Sequence, residues 1–358
     1  MAEESKLTEA QDLKRRIAAG EFRSWIDVIL DSMGRFLQKV IRRPEPPAPW
    51  VSALAIGLLI SLLGLVASLL SGGVSKFGYR TLIFGGAMIF LTIIIPRSTN
   101  NRTLETLHDE VLDTLDTGEG IAGLHDWLTM VASRKWPILS SALYVVVMFV
   151  YGALILDTTD TPMDIAVVGV SMFILSGMMI YYLLLFLFLP GRLGRCHYRL
   201  NAWEPMSTEV VSQLSGLMNY IAYMIAFLLA SMTLFSVSLV TFDITNLLVM
   251  IPIWLVLIFI FVAGQMALNR IIKRAKRESL DEVEAQMATL RISGDPPDKE
   301  TMETFMRTWD YHDRVKGTRN SVLNLKGIVN FVNTLLIPLL AFLVANRNEI
   351  FKLLGWTT

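Results

Sequence analysis

The sequence predicts an all-α fold, a polytopic membrane bundle of about seven transmembrane helices with a cytoplasmic helical hairpin. Every Lys, Arg, Asp and Glu lies outside seven long apolar segments. A charge at the bilayer centre costs about 2.5–3.5 kcal/mol, so long uncharged segments are typical of a chain dissolved in lipid. The basic residues are also distributed very unevenly among the connecting segments. Finally, the sixth apolar segment runs into a charged stretch that keeps a helical apolar period.

The seven apolar segments are the predicted membrane spans. They cover residues 50–70, 81–96, 137–156, 165–190, 213–241, 244–269 and 328–345. Most are long enough to cross about 30 Å of hydrocarbon at about 1.5 Å per residue. The second segment reaches only about 24 Å, so it needs the flanking aromatic residues Phe77 and Tyr79 or a locally thinner bilayer.

The basic residues predict the orientation. With seven spans and a cytoplasmic N-terminus, 28 of the 32 Lys and Arg residues are cytoplasmic, which agrees with the positive-inside rule. A re-entrant second segment places most of them outside, so the charge distribution favours a complete span. We therefore expect an extracytoplasmic C-terminus and a location in the plasma membrane, the inner membrane of a bacterium. The spans then form hairpins at 50–96, 137–190 and 213–269 and a single helix at 328–345, with cytoplasmic segments at 1–49, 97–136, 191–212 and 270–327 and an outer tail at 346–358.

Local signals predict where several spans begin and end. Trp50 lies where the first span enters the membrane, as interfacial tryptophans do. Thr161 and Pro162 supply an N-cap and a proline at the first helical position of the fourth span. Pro96 and Pro190, each followed closely by an arginine, are predicted to end the second and fourth spans, because proline removes a backbone donor.

The cytoplasmic segments ahead of the third span have amphipathic helical patterns. The first apolar stripe consists of Phe22, Ile26, Ile29, Met33, Phe36 and Val40. We interpret its helix either as a dimerisation or partner-binding helix, or as one that lies on the inner leaflet or on its own bundle, with Asp27 on a polar face. The loop at 97–136 has two shorter stripes and is acidic. We expect it to pack on other cytoplasmic helices.

The segment at 270–327 is the predicted helical hairpin. The sixth span is expected to continue as a helix through its basic root, which consists of Arg270, Lys273, Arg274, Lys276 and Arg277. These residues are interpreted either as contacts for anionic lipid head groups or as ordinary topology anchors. A turn at 293–297 joins two apolar stripes that we expect to face each other. The stripes are Leu280, Val283, Met287 and Leu290 on the first helix, and Met302, Phe305, Trp309 and His312 on the second.

Small and amide side chains predict contacts inside the membrane. The first span carries Gly57, Ser61, Gly64, Ser68 and Ser71 on one face, a seam for a homodimer contact or for internal packing. The cytoplasmic ends of spans five, six and seven carry Asn219, Gln265, Asn269, Asn330 and Asn333. Because a lone amide is costly in hydrocarbon, we expect these spans to meet there through hydrogen bonds. The alternative is a polar pocket open to the cytoplasm.

The residues that carry chemistry give no catalytic pattern. Four histidines are scattered, and no His, Asp or Glu lies inside a span, which weighs against an intramembrane protease, a proton- or sodium-coupled transporter and an acidic cation pore. We expect no enzyme activity, cofactor, metal or nucleic acid partner. The preferred hypothesis is a membrane anchor, scaffold or signal-coupling component that binds a soluble cytoplasmic protein through its helical hairpin. The alternatives are a passive channel that uses the amide layer and a lipid-handling enzyme that uses Asp310 or His312. Partners beyond the bilayer include a second copy of the chain.

Overall fold

The computed structural model describes residues 2–42, 44–70, 78–115, 120–155, 163–200, 207–239, 244–291 and 299–318, with six single positions between 329 and 344. Apart from turns and short connecting segments, these residues are helical, and one isolated bridge joins Leu115 to Tyr198. The helices are α1 (Ala2–Ala18), α2 (Trp25–Ile41), α3 (Pro49–Leu70), α4 (Gly78–Thr106), α5 (Ile121–Ala132), α6 (Lys135–Ile155), α7 (Met163–Leu193), α8 (Glu209–Leu239), α9 (Ile244–Arg291) and α10 (Lys299–Gly317).

In the part of the chain that the structure describes, five helical segments are long and apolar enough to cross a membrane, which confirms the predicted class of an all-helical chain with several candidate spans. They are Pro49–Leu70, Leu82–Thr114, Phe173–Leu193, Glu209–Met232 and Leu255–Thr289. A shorter apolar helix at Lys135–Val150 corresponds to the predicted third span. The predicted seventh span is described only at single positions, which are helical and exposed: Val329, Val332, Asn333, Leu336, Leu340 and Val344. The total of seven stays a prediction, and the N-cap at Thr161 lies outside the described residues.

α7 is the central helix of the bundle. It packs against α3, α4, α6 and α9, and against α5 near its C-terminal end. Buried side chains line α7 from Met178 to Leu193. α6 lies at the periphery: it packs mainly on α7, and its Leu143 and Phe149 are exposed. An apolar helix that is so exposed is stable beside lipid rather than water.

The small-residue seam of α3 is used for internal packing, which confirms one of its two interpretations. Gly57 and Ser68 are buried in the bundle, and α3 packs closely on α4 and α7. A Cβ atom at Gly57 would lie 2.6 Å from the carbonyl oxygen of Gly86, so the two backbones approach too closely for a larger residue. The Ser61 hydroxyl donates a hydrogen bond of 2.7 Å to the carbonyl of Leu82.

Pro96 and Pro190, predicted to close the second and fourth spans, do not end their helices, and the membrane edges at these residues stay a prediction. Pro96 lies inside α4, which continues to Thr106, and Pro190 lies inside α7, which continues to Leu193. Proline removes one backbone hydrogen bond, but both helices continue through a packed core. Thr103 and Leu193 beyond the prolines are buried. Tertiary packing therefore outweighs the local cost of the proline.

The end of the bundle that carries most charges, called here the charged end, has a large core of its own. It consists of α1, α2, α5 and the adjoining ends of α4, α7 and α8, and it buries the stripes predicted at 104–115 and 121–131. The fully buried Trp127 donates its indole N–H to the carbonyl of Leu185 at 2.8 Å. In α2, Ile26 and Leu30 are buried while Phe36 and Val40 are exposed. The first half of α2 thus packs on its own bundle.

Candidate functional site: the outer face of α10

α10 packs antiparallel along the C-terminal part of α9. The Lys276 ammonium group of α9 donates to the carbonyls of Lys316 at 2.7 Å and Thr318 at 2.8 Å. These carbonyls lie at the C-terminal end of α10, where a positive charge is stabilised by the helix dipole. Further along the pair, His312 Nε2 lies 3.5 Å from Glu284 Oε1. The buried Val315 contributes to the same packed face. The turn predicted at 293–297 lies outside the described residues.

The side of α10 that faces outward differs from the prediction. The predicted packing residues Met302 and Trp309 are each 50% exposed, and Met306 is 61% exposed. The prediction that Met302 and Trp309 pack on α9 is therefore wrong. The contacts at Lys276 and Val315 turn α10 so that His312 faces α9 instead. Helical periodicity identified an apolar stripe but not its rotation about the helix axis.

The three exposed apolar side chains form a row along α10. Met302, Met306 and Trp309 are spaced by four and three residues, so they lie one above another on the same side. Met302 and Met306, but not Trp309, line a shallow cavity of about 610 Å³ together with four charged side chains, Lys299, Glu303, Arg307 and Asp310. These six residues and Trp309 together form the outer face of α10. Its two basic and two acidic groups balance.

Trp309, the largest apolar side chain of this face, is held in place by contacts with two neighbouring rings. The Trp309 ring lies 6.2 Å from the Phe305 ring and 6.1 Å from the His312 ring, measured between centroids. Burial raises the pKa of the neighbouring Tyr311 phenol, and the Glu282 carboxylate raises it further, so this hydroxyl stays protonated. A half-exposed tryptophan held on its inner side is typical of an anchor in a protein interface.

The alternative of a lipid-handling enzyme that uses Asp310 or His312 stays a prediction, and the structure places these two side chains on different sides of α10. Asp310 lies exposed at the cavity, whereas His312 turns towards Glu284 of α9. Across the described residues, no group of three or more His, Cys, Asp or Glu side chains is placed to hold a metal ion. Cys196 is buried, and burial raises the pKa of its thiol to about 11. A protonated thiol is a poor nucleophile and a poor metal ligand.

The five basic residues at the root of the α9–α10 pair have different surroundings. Arg270, Lys273 and Arg277 are exposed, and Arg274 is half-buried beside the carbonyl of Arg195 at 3.4 Å. Lys276 is buried, because its ammonium group is used at the end of α10. Contact of the exposed members with anionic lipid stays a prediction.

The amide layer is described in part. Gln265 is 6% exposed, and its Oε1 accepts no hydrogen bond from the described part of the chain. The same holds for the buried Oδ1 of Asn269, one turn later. Asn219 is half-buried in α8, and Asn333 is exposed. Asn330 lies outside the described residues. The predicted joining of spans five, six and seven through these amides stays a prediction.

Two buried polar features were not anticipated from the sequence. Asp27 was assigned to a polar face, but it is buried and its Oδ1 accepts a hydrogen bond of 2.7 Å from Arg97 Nε. The signal in the sequence is Ser24 three residues before Asp27, the spacing of a capping box.

Asn100 is fully buried, with neither amide atom bonded to a described residue. It lies in the segment 97–136, where only the two apolar stripes were singled out as packing residues.

Comparison of this chain with protein-family models, with curated proteins and with solved structures found no match. Its fold and its candidate site are therefore interpreted from its own residues.

Proposed function

We propose that this protein is a non-enzymatic scaffold of the plasma membrane that binds a soluble cytoplasmic protein on the outer face of α10. The single observation that carries the proposal is the row of Met302, Met306 and Trp309, which α9 leaves half or more exposed. Exposed methionine and tryptophan at helical spacing are typical of surfaces that bind another helix. A helix with no partner gains nothing from keeping these side chains in water.

The partner that fits this face is an amphipathic helix of a soluble protein. Met302 and Trp309 are two turns apart, which matches the repeat of apolar anchors on such a helix. The charges around the anchors balance, with Lys299 and Arg307 against Glu303 and Asp310. A balanced rim favours a protein rim of mixed charge over an anionic bilayer, which attracts basic faces.

The proposed topology places α10 in the cytoplasm. Seven spans, a cytoplasmic N-terminus and an extracytoplasmic C-terminus leave 28 of the 32 basic residues inside. α9 is one helix from Ile244 to Arg291. In this arrangement a continuous helix leads from the bilayer to the docking face. Binding at α10 is then mechanically linked to the bundle, which gives the scaffold a means of signal coupling.

Photo-crosslinking in cells tests the docking proposal. A benzoylphenylalanine at Met306 is expected to crosslink one defined soluble protein, and Trp309→Asp is expected to reduce that product at least tenfold, since anchor residues contribute about 2 kcal/mol or more. The matched control is the same probe at Arg314, which is exposed on α10 outside the cavity. Crosslinks to a second copy of this chain, to lipid alone or equally from both positions would each contradict the proposal.

A passive channel is the second candidate function, and the buried amide oxygens of α9 favour it. Oε1 of Gln265 and Oδ1 of Asn269 lack a donor among the described residues, and a water or solute supplies one. Reconstituted liposomes are expected to show no solute flux above empty liposomes if the scaffold function is correct. Flux that disappears in Gln265→Leu but persists in the exposed-site control Met266→Leu would establish the channel instead.

A further inference from the structure

We propose that a cavity between α3, α4 and α8 binds the head group of a zwitterionic phospholipid with a primary amine. The cavity has a volume of about 640 Å³. It lies where the apolar part of α3 begins, at Pro49 and Trp50, and where α4 turns from apolar to polar residues, at Ile94 and Arg97. A cavity at this level faces the head-group layer of a bilayer that surrounds the apolar helices.

The lining supplies donors for a phosphate group. Arg97 and Arg102 both line the cavity, together with the polar side chains of Ser98, Asn101 and Tyr220. Arg97 donates from its Nε to Asp27 Oδ1 at 2.7 Å, which fixes the guanidinium group, and among the described residues its terminal nitrogens have no acceptor. Arginine favours phosphate because its planar fork matches two phosphate oxygens.

The local charge favours a zwitterion over an anion. Glu105 lines the same cavity, and its Oε2 lies 3.6 Å from Arg102 Nη1. Arg97 and Arg102 are thus balanced by Asp27 and Glu105 before any ligand binds. An anionic head group leaves one negative charge uncompensated, whereas phosphoethanolamine places its phosphate on the arginines and its ammonium on Glu105. A choline group cannot donate a hydrogen bond to that carboxylate.

The surface next to the cavity suits the acyl chains. Trp50, Leu54, Leu58 and Leu62 are 57%, 42%, 62% and 56% exposed, and they form one row along α3. This row starts at the cavity and runs into the apolar region of the bundle. A lipid with its head group in the cavity lays a chain along it, which buries apolar surface on both molecules.

Thermal unfolding of the delipidated full-length protein in detergent tests the inference. Short-chain phosphatidylethanolamine is expected to raise the unfolding temperature at concentrations at which phosphatidylglycerol, phosphatidylcholine and inorganic phosphate have at least tenfold weaker effects. Arg102→Gln is expected to weaken the apparent affinity for phosphatidylethanolamine at least tenfold. Arg102 is 53% exposed in its side chain, so its replacement leaves the fold intact. The matched control is Lys39→Gln, on an exposed part of α2 away from the cavity.

Glu105→Gln separates the zwitterion from an anion. It is expected to reverse the preference, so that phosphatidylglycerol becomes the stronger ligand. Equal or greater stabilisation of the unmodified chain by phosphatidylglycerol would overturn the inference, and so would equal stabilisation by inorganic phosphate. An Arg102→Gln variant that responds like Lys39→Gln would show that the lipid binds elsewhere.

Discussion

Replacing Asp27 by alanine is expected to lower the free energy of unfolding by about 3–5 kcal/mol, because it leaves a half-buried arginine without its partner. Asp27 accepts hydrogen bonds from the backbone N–H and the hydroxyl of Ser24, at 3.1 and 2.6 Å, and from Arg97 Nε at 2.7 Å. The substitution removes the capping box of α2 and the ion pair between α2 and α4 together. Urea unfolding in detergent, followed by circular dichroism, measures the change.

Asp31→Ala is the matched control for this prediction. Asp31 lies one turn further along α2 and pairs with Arg23 at 3.2 Å, with both side chains largely exposed. Exposed pairs contribute little, so a loss within about 1 kcal/mol is expected. The double substitution Asp27→Leu with Arg97→Met is expected to cost less than Asp27→Ala alone, because it removes both charges. If Asp27→Ala and Asp31→Ala lowered the free energy of unfolding equally, the buried ion pair would contribute no more to stability than the exposed one.

Replacing Gly177 by leucine is expected to separate α6 from α7 and to cost about 3 kcal/mol or more, because the contact has no space for a side chain. A Cβ atom at Gly177 would lie 2.5 Å from Ser141 Cα and 2.8 Å from the carbonyl oxygen of Ser140. Two hydrogen bonds cross the same contact: the Ser140 hydroxyl donates to the Gly177 carbonyl at 2.7 Å, and Ser141 donates to Ile174 at 2.8 Å. Both hydrogen bonds require the backbones of α6 and α7 to lie this close together at Gly177.

The effect on α6 is specific, because α6 packs mainly on α7. Limited proteolysis between α5 and α6, together with thermal unfolding, is expected to show an opened α6–α7 contact in Gly177→Leu. Gly191→Ala is the control on the same helix, since a Cβ atom there meets no atom within 4 Å. It is expected to change stability by less than about 1 kcal/mol. A stable, protease-resistant Gly177→Leu variant would contradict the packing described for this helix pair.

Several features of the fold were predictable because they depend on residues that are close in sequence. The absence of charge from long apolar stretches predicted helices able to cross a membrane, and the continuous apolar period predicted that α9 extends past Arg270 to Arg291. The seam at Gly57 was predictable as a close contact, since only small residues permit one. The helix that makes this contact, α4, could not be predicted, because only the three-dimensional structure shows which helix lies beside Gly57.

Features that depend on the partner helix could not be predicted in this way. Periodicity places Met302, Phe305 and His312 near one another on α10, but the rotation of α10 is decided by contacts at Val315 and Lys276. The candidate docking face was therefore predicted as a packed stripe. The burial of Asp27 likewise depends on Arg97, 70 residues away. Here the capping pattern at Ser24 was visible, but the ion pair was not.

The sequence by itself determined that this chain contains several long apolar helical stretches free of charge, because hydrocarbon excludes ions whatever the arrangement of the helices. Only the tertiary structure decided which helix faces are buried by internal packing and which remain exposed. α4 and α7 continue through Pro96 and Pro190, and Asp27 pairs with Arg97, because packing between distant segments outweighs local preference. The outer face of α10 and the cavity beside Trp50 are surfaces that this packing leaves open, and we propose that they bind a partner and a lipid.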